Sequence, residues 1–168
     1  MNRTILMLLV FLFALILTII PLTSAVFLLR PPWVLLSILY MQFYIPNEFK
    51  IYMLFILGCT MDSLLYTVIG EHLFALAVVI WLTTSKARSF CMAPIGHQML
   101  RIGLYGIVYQ GCLALIDSLC GDHVKFISII GPSIIGVLLW PWLRLIGDNC
   151  FLKKNSNIAP EIFRSRHN

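Results

Sequence analysis

The feature that most restricts what this chain can fold into is a single carboxylate, Asp62, inside an apolar run of helix length, Phe49 to Ile69 (FKIYMLFILGCTMDSLLYTVI). About 20 apolar residues span a bilayer core of roughly 30 Å, and an acid near the centre of such a span costs on the order of 2.5 to 3.5 kcal/mol on insertion scales. Such a group needs a partner, so the face that carries it is predicted to meet protein and not lipid. Gly58, Asp62, Tyr66 and Gly70 recur at four-residue spacing, close to one helical stripe.

Composition supports the membrane reading. Of 168 residues 60% are hydrophobic and 11% charged, and the mean hydropathy is +0.94, far from the balance of a soluble domain of this size. The length accommodates one all-α bundle of about six transmembrane helices with short loops, over residues 1–147, followed by a basic tail over 148–168. It leaves no room for a separate soluble catalytic domain. The net charge of +5 does not indicate a nucleic-acid partner, because the basic residues sit at the ends of apolar runs without interleaved aromatic stacking platforms. Cys59, Cys91, Cys112, Cys120 and Cys150 have no CxxC spacing and read as small buried hydrophobes.

Along the chain, Arg3 ahead of Ile5 to Leu17, with Thr23-Ser24-Ala25 beyond, has the outline of a signal peptide. The uncharged stretch Thr4 to Leu29 is long for one, and a retained first helix ending near Pro21 is predicted. Pro31 and Pro32 open a second helix, Val34 to Ile45, because proline is tolerated in a first turn, where its missing N–H has no intrahelical partner anyway. Trp33 beside Arg30 suits an interface anchor. The third helix is the Asp62 run, and Gly70-Glu71-His72 is read as a tight turn into a short fourth helix, Leu73 to Thr84. Ser85 to Gln98 is read as a polar loop. A fifth helix, Met99 to Leu119, places Gly106, Gln110, Leu113 and Asp117 on one face. The sixth, Phe126 to Ile146, contains Pro132 and the triplet Trp140-Pro141-Trp142, whose tryptophans suit the bilayer interface.

With six helices and both ends on one side, ten of the twelve Lys and Arg fall on the side of the termini, leaving Arg30 and Lys125 opposite. The positive-inside rule then makes both termini cytoplasmic and places Asp62 roughly 10 Å below the outer end of its helix. Arg30, also toward the outer side, is the expected partner of Asp62, with Asp117 its alternative.

No catalytic residue, cofactor site or metal site is predicted. There is no GxSxG, no HExxH and no glycine-rich loop leading to a phosphate-binding lysine, and Asp117, Cys120, Asp122 and His123 lack a ligand spacing. A proton path would need several ionisable groups through the bilayer, and the inner halves of the helices are nearly bare of them. Asp62 therefore reads as structural and partner-docking. The basic tail reads as an orientation signal that attracts anionic membrane lipids.

Three blocks in order suggest a family: Arg30-Pro31-Pro32-Trp33 entering a helix, Gly58-Cys59-Thr60-Met61-Asp62 followed by Gly70, and Gly136-Val137-Leu138-Leu139-Trp140-Pro141-Trp142 near the end. Their order and spacing resemble the bacterial rod shape-determining MreD family over nearly all of the chain. Similar proteins often carry a glycine between Asp62 and Gly70, where this chain has Tyr66. The resemblance implies a non-enzymatic, multi-pass component of the inner membrane in the cell-elongation machinery. Its implied partners are MreC directly and, through the complex, MreB, the RodA glycosyltransferase and a penicillin-binding transpeptidase. Arg30, Pro31, Trp33, Gly58, Asp62, Gly70, Asp117, Trp140, Pro141 and Trp142 are then the candidate structural and docking residues. The family also looks similar in fold to the substrate-binding subunits of energy-coupling-factor transporters, which implies a second reading as a vitamin-type uptake subunit.

Overall fold

The structure, a computed structural model, describes residues 3–19, 31–45, 51–121 and 126–149. These form seven α-helices and no strand: α1 (Arg3–Ile19), α2 (Trp33–Tyr44), α3 (Ile51–Leu65), α4 (Glu71–Thr84), α5 (Ala87–Cys91), α6 (Ile95–Leu119) and α7 (Phe126–Gly147). Pro21, Arg30, the Pro46-Asn47-Glu48 break, Asp122, His123, Lys125 and most of the basic tail lie outside the described residues.

Helix α2 holds the middle. It is apolar nearly all round, and ten of its twelve residues are buried, as expected of a helix enclosed on every side. It packs against α1, α4, α5 and α7. The other principal contacts are α6 with α7, α3 with α4 and α4 with α6. The outer helices split by face. On α1, Met7, Phe11, Ala14 and Thr18 turn inward at helical spacing, while Leu8, Leu12, Phe13 and Ile16 are exposed. An apolar surface of this extent is what a bilayer covers.

Two helices, Ile95–Leu119 and Ile127–Gly147, are long and apolar enough to cross a membrane. The remaining long helices, at 12 to 17 residues, rise only about 18 to 26 Å, less than a roughly 30 Å hydrocarbon core. Helix α7 runs through both Pro132 and Pro141. Pro31 and Pro32 do open a helix: Pro32 is the N-cap of α2, and its carbonyl accepts from Leu36 N–H at 3.0 Å.

Three boundaries differ from the sequence reading. Helix α3 stops at Leu65 and not at Ile69, because Tyr66 takes a left-handed conformation (φ 55°) and breaks the ladder. Tyr66 is consequently 95% exposed and Gly70 has left the helix, so the expected four-residue stripe keeps only Gly58 and Asp62 buried. Helix α4 begins at Glu71, with Glu71 and His72 buried in its first turn and not in an open turn. Helix α6 begins four residues early, after Pro94, and α5 occupies part of the stretch read as a loop, so Gln98 is a buried helical residue.

Candidate functional site

At the junction of α3 and α4, Asp62 folds the chain over itself. Its side chain is 1% exposed, and its two oxygens accept from Gly70 N–H (2.7 Å), His72 N–H (2.9 Å) and the ring Nδ1–H of His72 (3.0 Å). A carboxylate can only accept, so the Nδ1 of His72 carries the proton. The Asp62 carbonyl meanwhile accepts from Thr67 N–H at 3.2 Å. One residue at the end of α3 thus satisfies backbone donors at the start of α4, which otherwise lack intrahelical partners, and puts negative charge at the positive end of the α4 dipole.

Two glycines make this geometry possible. Gly70 caps α4 at φ 98°, a conformation that side chains disfavour. At Gly58, one turn before Asp62, an added Cβ would lie 2.7 Å from the backbone Cα of Leu73, so α3 and α4 cross there in direct backbone contact.

Asp62 therefore finds its compensation locally. Its ion-pair partner among the described residues is His72, and the expected pairing with Arg30 lies outside them. The depth expected for Asp62 changes too: it sits three residues, about 4.5 Å, from the end of α3. Beside it, Glu71 is 3% exposed, and its Oε2 has no hydrogen-bond partner. His72 packs edge-on against Tyr109 of α6, with ring centroids 6.3 Å apart. A cavity of about 230 Å³ opens next to this junction, lined by Pro31, Pro32, His72, Tyr109 and Gln110 together with residues of α1, α3 and α7. On α6, Gly106 is buried against Ser133 of α7, and Gln110 and Leu113 face the cavity.

The opposite end of the bundle has a second polar centre built on Gln98, which is fully buried. Its Oε1 accepts from Tyr44 Oη–H (3.3 Å), Trp140 Nε1–H (3.4 Å) and Arg144 Nη1–H (3.1 Å). Its Nε2 donates to the carbonyls of Phe90 (3.2 Å) and Ala93 (2.9 Å). Arg144 also lies over the Tyr44 ring at 5.7 Å and 3.6 Å from Asp148, which accepts from Tyr40 Oη–H at 3.1 Å. Nearby, Gln42 of α2 donates to Ile80 O and Thr84 Oγ1 and accepts from Thr83 of α4.

The predicted residues separate accordingly. Gly58, Asp62 and Gly70 come together at the α3–α4 junction, and Pro31 lines the cavity beside it. Trp33 is half-buried at the start of α2. Trp140 is not an interface tryptophan: it is fully buried, bonded to Gln98 and edge-on to Phe90 at 5.6 Å, because the indole N–H finds an acceptor inside. Trp142, two residues on, is 70% exposed, with Pro141 half-buried between them. Asp117 is half-buried near the end of α6, on the side of the bundle where Glu71 lies.

His72, Glu71, Tyr109, Gln98 and Arg144 were not singled out in the sequence. For His72 a signal existed, since an acid at a helix end followed by glycine and a new apolar helix marks a capping site. Among the described residues no three His, Cys, Asp or Glu side chains gather as metal ligands.

The described residues define an all-helical protein of the membrane class, with two helices long and apolar enough to cross a bilayer and buried polar side chains that bond helix ends to one another. The comparison with protein families makes this specific: residues 1–148 match the rod shape-determining protein MreD, and the chain belongs to the MreD family. It is 28% identical over 120 residues to the rod shape-determining protein MreD of Haemophilus influenzae, covering 71% of this chain and 74% of that protein. No solved structure matches the chain. The family is one of shape-determining membrane proteins.

Proposed function

We propose that this protein is a non-enzymatic docking component of the cell-elongation machinery in the bacterial inner membrane, and that the end of the bundle organised by Asp62 receives the membrane helix of MreC. The observation that carries the reading is the family match over residues 1–148. The local geometry supports it: the clasp from Asp62 to Gly70 and His72 fixes how α3 enters α4, giving a partner helix a rigid surface to recognise. In this reading the chain crosses the membrane six times with both termini cytoplasmic, and residues 148–168 form a cytoplasmic tail. Arg30, Asp117 and the Trp140-Pro141-Trp142 block support the same assembly, and contact with MreB, RodA and the penicillin-binding transpeptidase runs through the complex.

Co-purification tests the proposal. A well-folded Asp62→Asn protein is expected to recover markedly less MreC from native membranes than wild type, and unchanged recovery would count against the docking surface. Exchange of charges, Arg30→Asp with Asp62→Arg, tests whether Arg30 shares that surface. The reading as an uptake subunit fares less well on size: about 230 Å³ falls below the roughly 300 to 1,000 Å³ of ordinary small-molecule sites. Depletion is expected to round rod-shaped cells and not to create a nutrient requirement.

A further inference from the structure

At the Gln98 end, the groove between α4 and α6 has a different character from the rest of the surface. It encloses about 300 Å³ and is lined by Leu82, Lys86, Arg101, Leu104, Tyr105 and Val108. Arg101, Leu104, Tyr105 and Val108 stand at i, i+3, i+4 and i+7 on α6, which is one stripe of that helix. Leu82 faces them from α4, and Lys86 follows α4 in the turn to α5. Charge is therefore confined to one end of the groove, and the other three residues of the stripe, spread over the next seven positions or about 10 Å, are apolar apart from one phenol.

Neither cation is paired with a carboxylate among the described residues. Arg101 makes only long contacts to Ser89 Oγ, at 3.4 and 3.5 Å, whereas Arg144, on the same end, already holds Asp148 and Gln98. Arg101 is half-buried and Lys86 exposed, so both heads are reachable, and the exposed Leu104 and Leu82 leave the apolar length of the groove open along its side. A 25-residue helix rises about 37 Å, more than a roughly 30 Å hydrocarbon core, so Arg101, six residues into α6, lies near the boundary between acyl chains and headgroups. From there a guanidinium extends toward the phosphates.

We infer that this groove is a binding site for one anionic glycerophospholipid, with its phosphate between Lys86 and Arg101 and an acyl chain along Leu82, Leu104 and Val108. A soluble anion would use the two cations but not the apolar length, and a zwitterionic lipid would use the apolar length but carry a cation of its own to the charged end. Tyr105, partway along the stripe, is placed to donate to the glycerol ester region.

The test is thermal unfolding of the purified full chain in detergent, titrated with phosphatidylglycerol, with phosphatidylcholine of the same acyl chains, or with inorganic phosphate. Phosphatidylglycerol is expected to raise the wild-type unfolding temperature saturably and the other two to leave it nearly unchanged. Lys86→Gln with Arg101→Gln should weaken the apparent affinity for phosphatidylglycerol about twenty-five-fold, from roughly fivefold for each surface cation. Arg3→Gln with Lys125→Gln, which removes the same charge from outside the groove and the tail, should change it less than about twofold. The inference is overturned by an equal response to phosphatidylcholine, by a response that inorganic phosphate reproduces, by unchanged affinity in the groove variant, or by an equal loss in the control variant. If Arg101→Gln does not fold, Lys86→Gln alone is read against the fivefold expectation.

Discussion

The two ends of the bundle solve the same problem, buried polar groups in an apolar molecule, by opposite means. At the α3–α4 junction a charged group binds partners no more than ten residues away, two of them backbone N–H groups. At the Gln98 end a neutral amide ties together residues from four helices or their flanks, with Tyr44, Trp140 and Arg144 lying 54, 42 and 46 positions from it in sequence. The first is a local fastening that sets the angle of one hairpin. The second exists only once α2, α5, α6 and α7 have assembled, so it reports on the whole fold. A charge suits the local site because backbone donors are supplied with the turn itself, whereas an amide, which both donates and accepts, suits a crossing point of several helices.

The largest expected effect is at the charged end. Asp62→Ala leaves two buried backbone donors and the His72 ring without their acceptor, and is expected to lower stability by about 4 kcal/mol. Proteolysis should show the loss first as cleavage within residues 66–70, with the Gln98 end still protected. Gln98→Leu removes an acceptor for three donors and a donor for two carbonyls, with an expected loss of about 3 kcal/mol. Here protection should fall throughout, and a loss confined to the α5–α6 turn would break the contrast between local and global. The double variant is expected to lose the sum of the two within about 0.5 kcal/mol, because the centres lie far apart and share no partner. A larger departure in chemical denaturation would mean that the two ends communicate.

Gly58→Ala forces its new methyl against the Leu73 backbone, which cannot yield as a side chain can, and is expected to cost about 2 kcal/mol. The smallest effect has the opposite sign. Tyr66 sits at φ 55° with its side chain in the open, so Tyr66→Gly is expected to raise stability by about 1 kcal/mol, read as a shift in unfolding midpoint, since glycine tolerates this conformation. Tyrosine here is strain in a turn that the Asp62 clasp holds closed, and the gain should shrink when Asp62→Ala is already present.

Much of this was legible from residue order alone. The hydrophobic content, the helix-length runs and the proline-led start of α2 set an all-helical membrane protein, because apolar periodicity and backbone restriction act over a few residues. Asp62 was visible as a group that needs a partner, because an ion in an apolar run must be compensated, but Gly58, Tyr66 and Gly70 were read with it as one helical stripe, which the turn at Tyr66 interrupts. Where α3 would stop was not visible, since Tyr66 in a left-handed conformation is a choice that local propensity disfavours and that the contacts of Asp62 with the next helix impose. Nor could sequence distinguish Trp140 from Trp142. They are two residues apart with the same chemistry, and only the arrival of Gln98 from a distant helix gives one indole an acceptor inside the fold and leaves the other to the surface. The tertiary structure decided which polar groups are shared between helices, because a hydrogen bond between residues forty positions apart has no energy until the chain has brought them together.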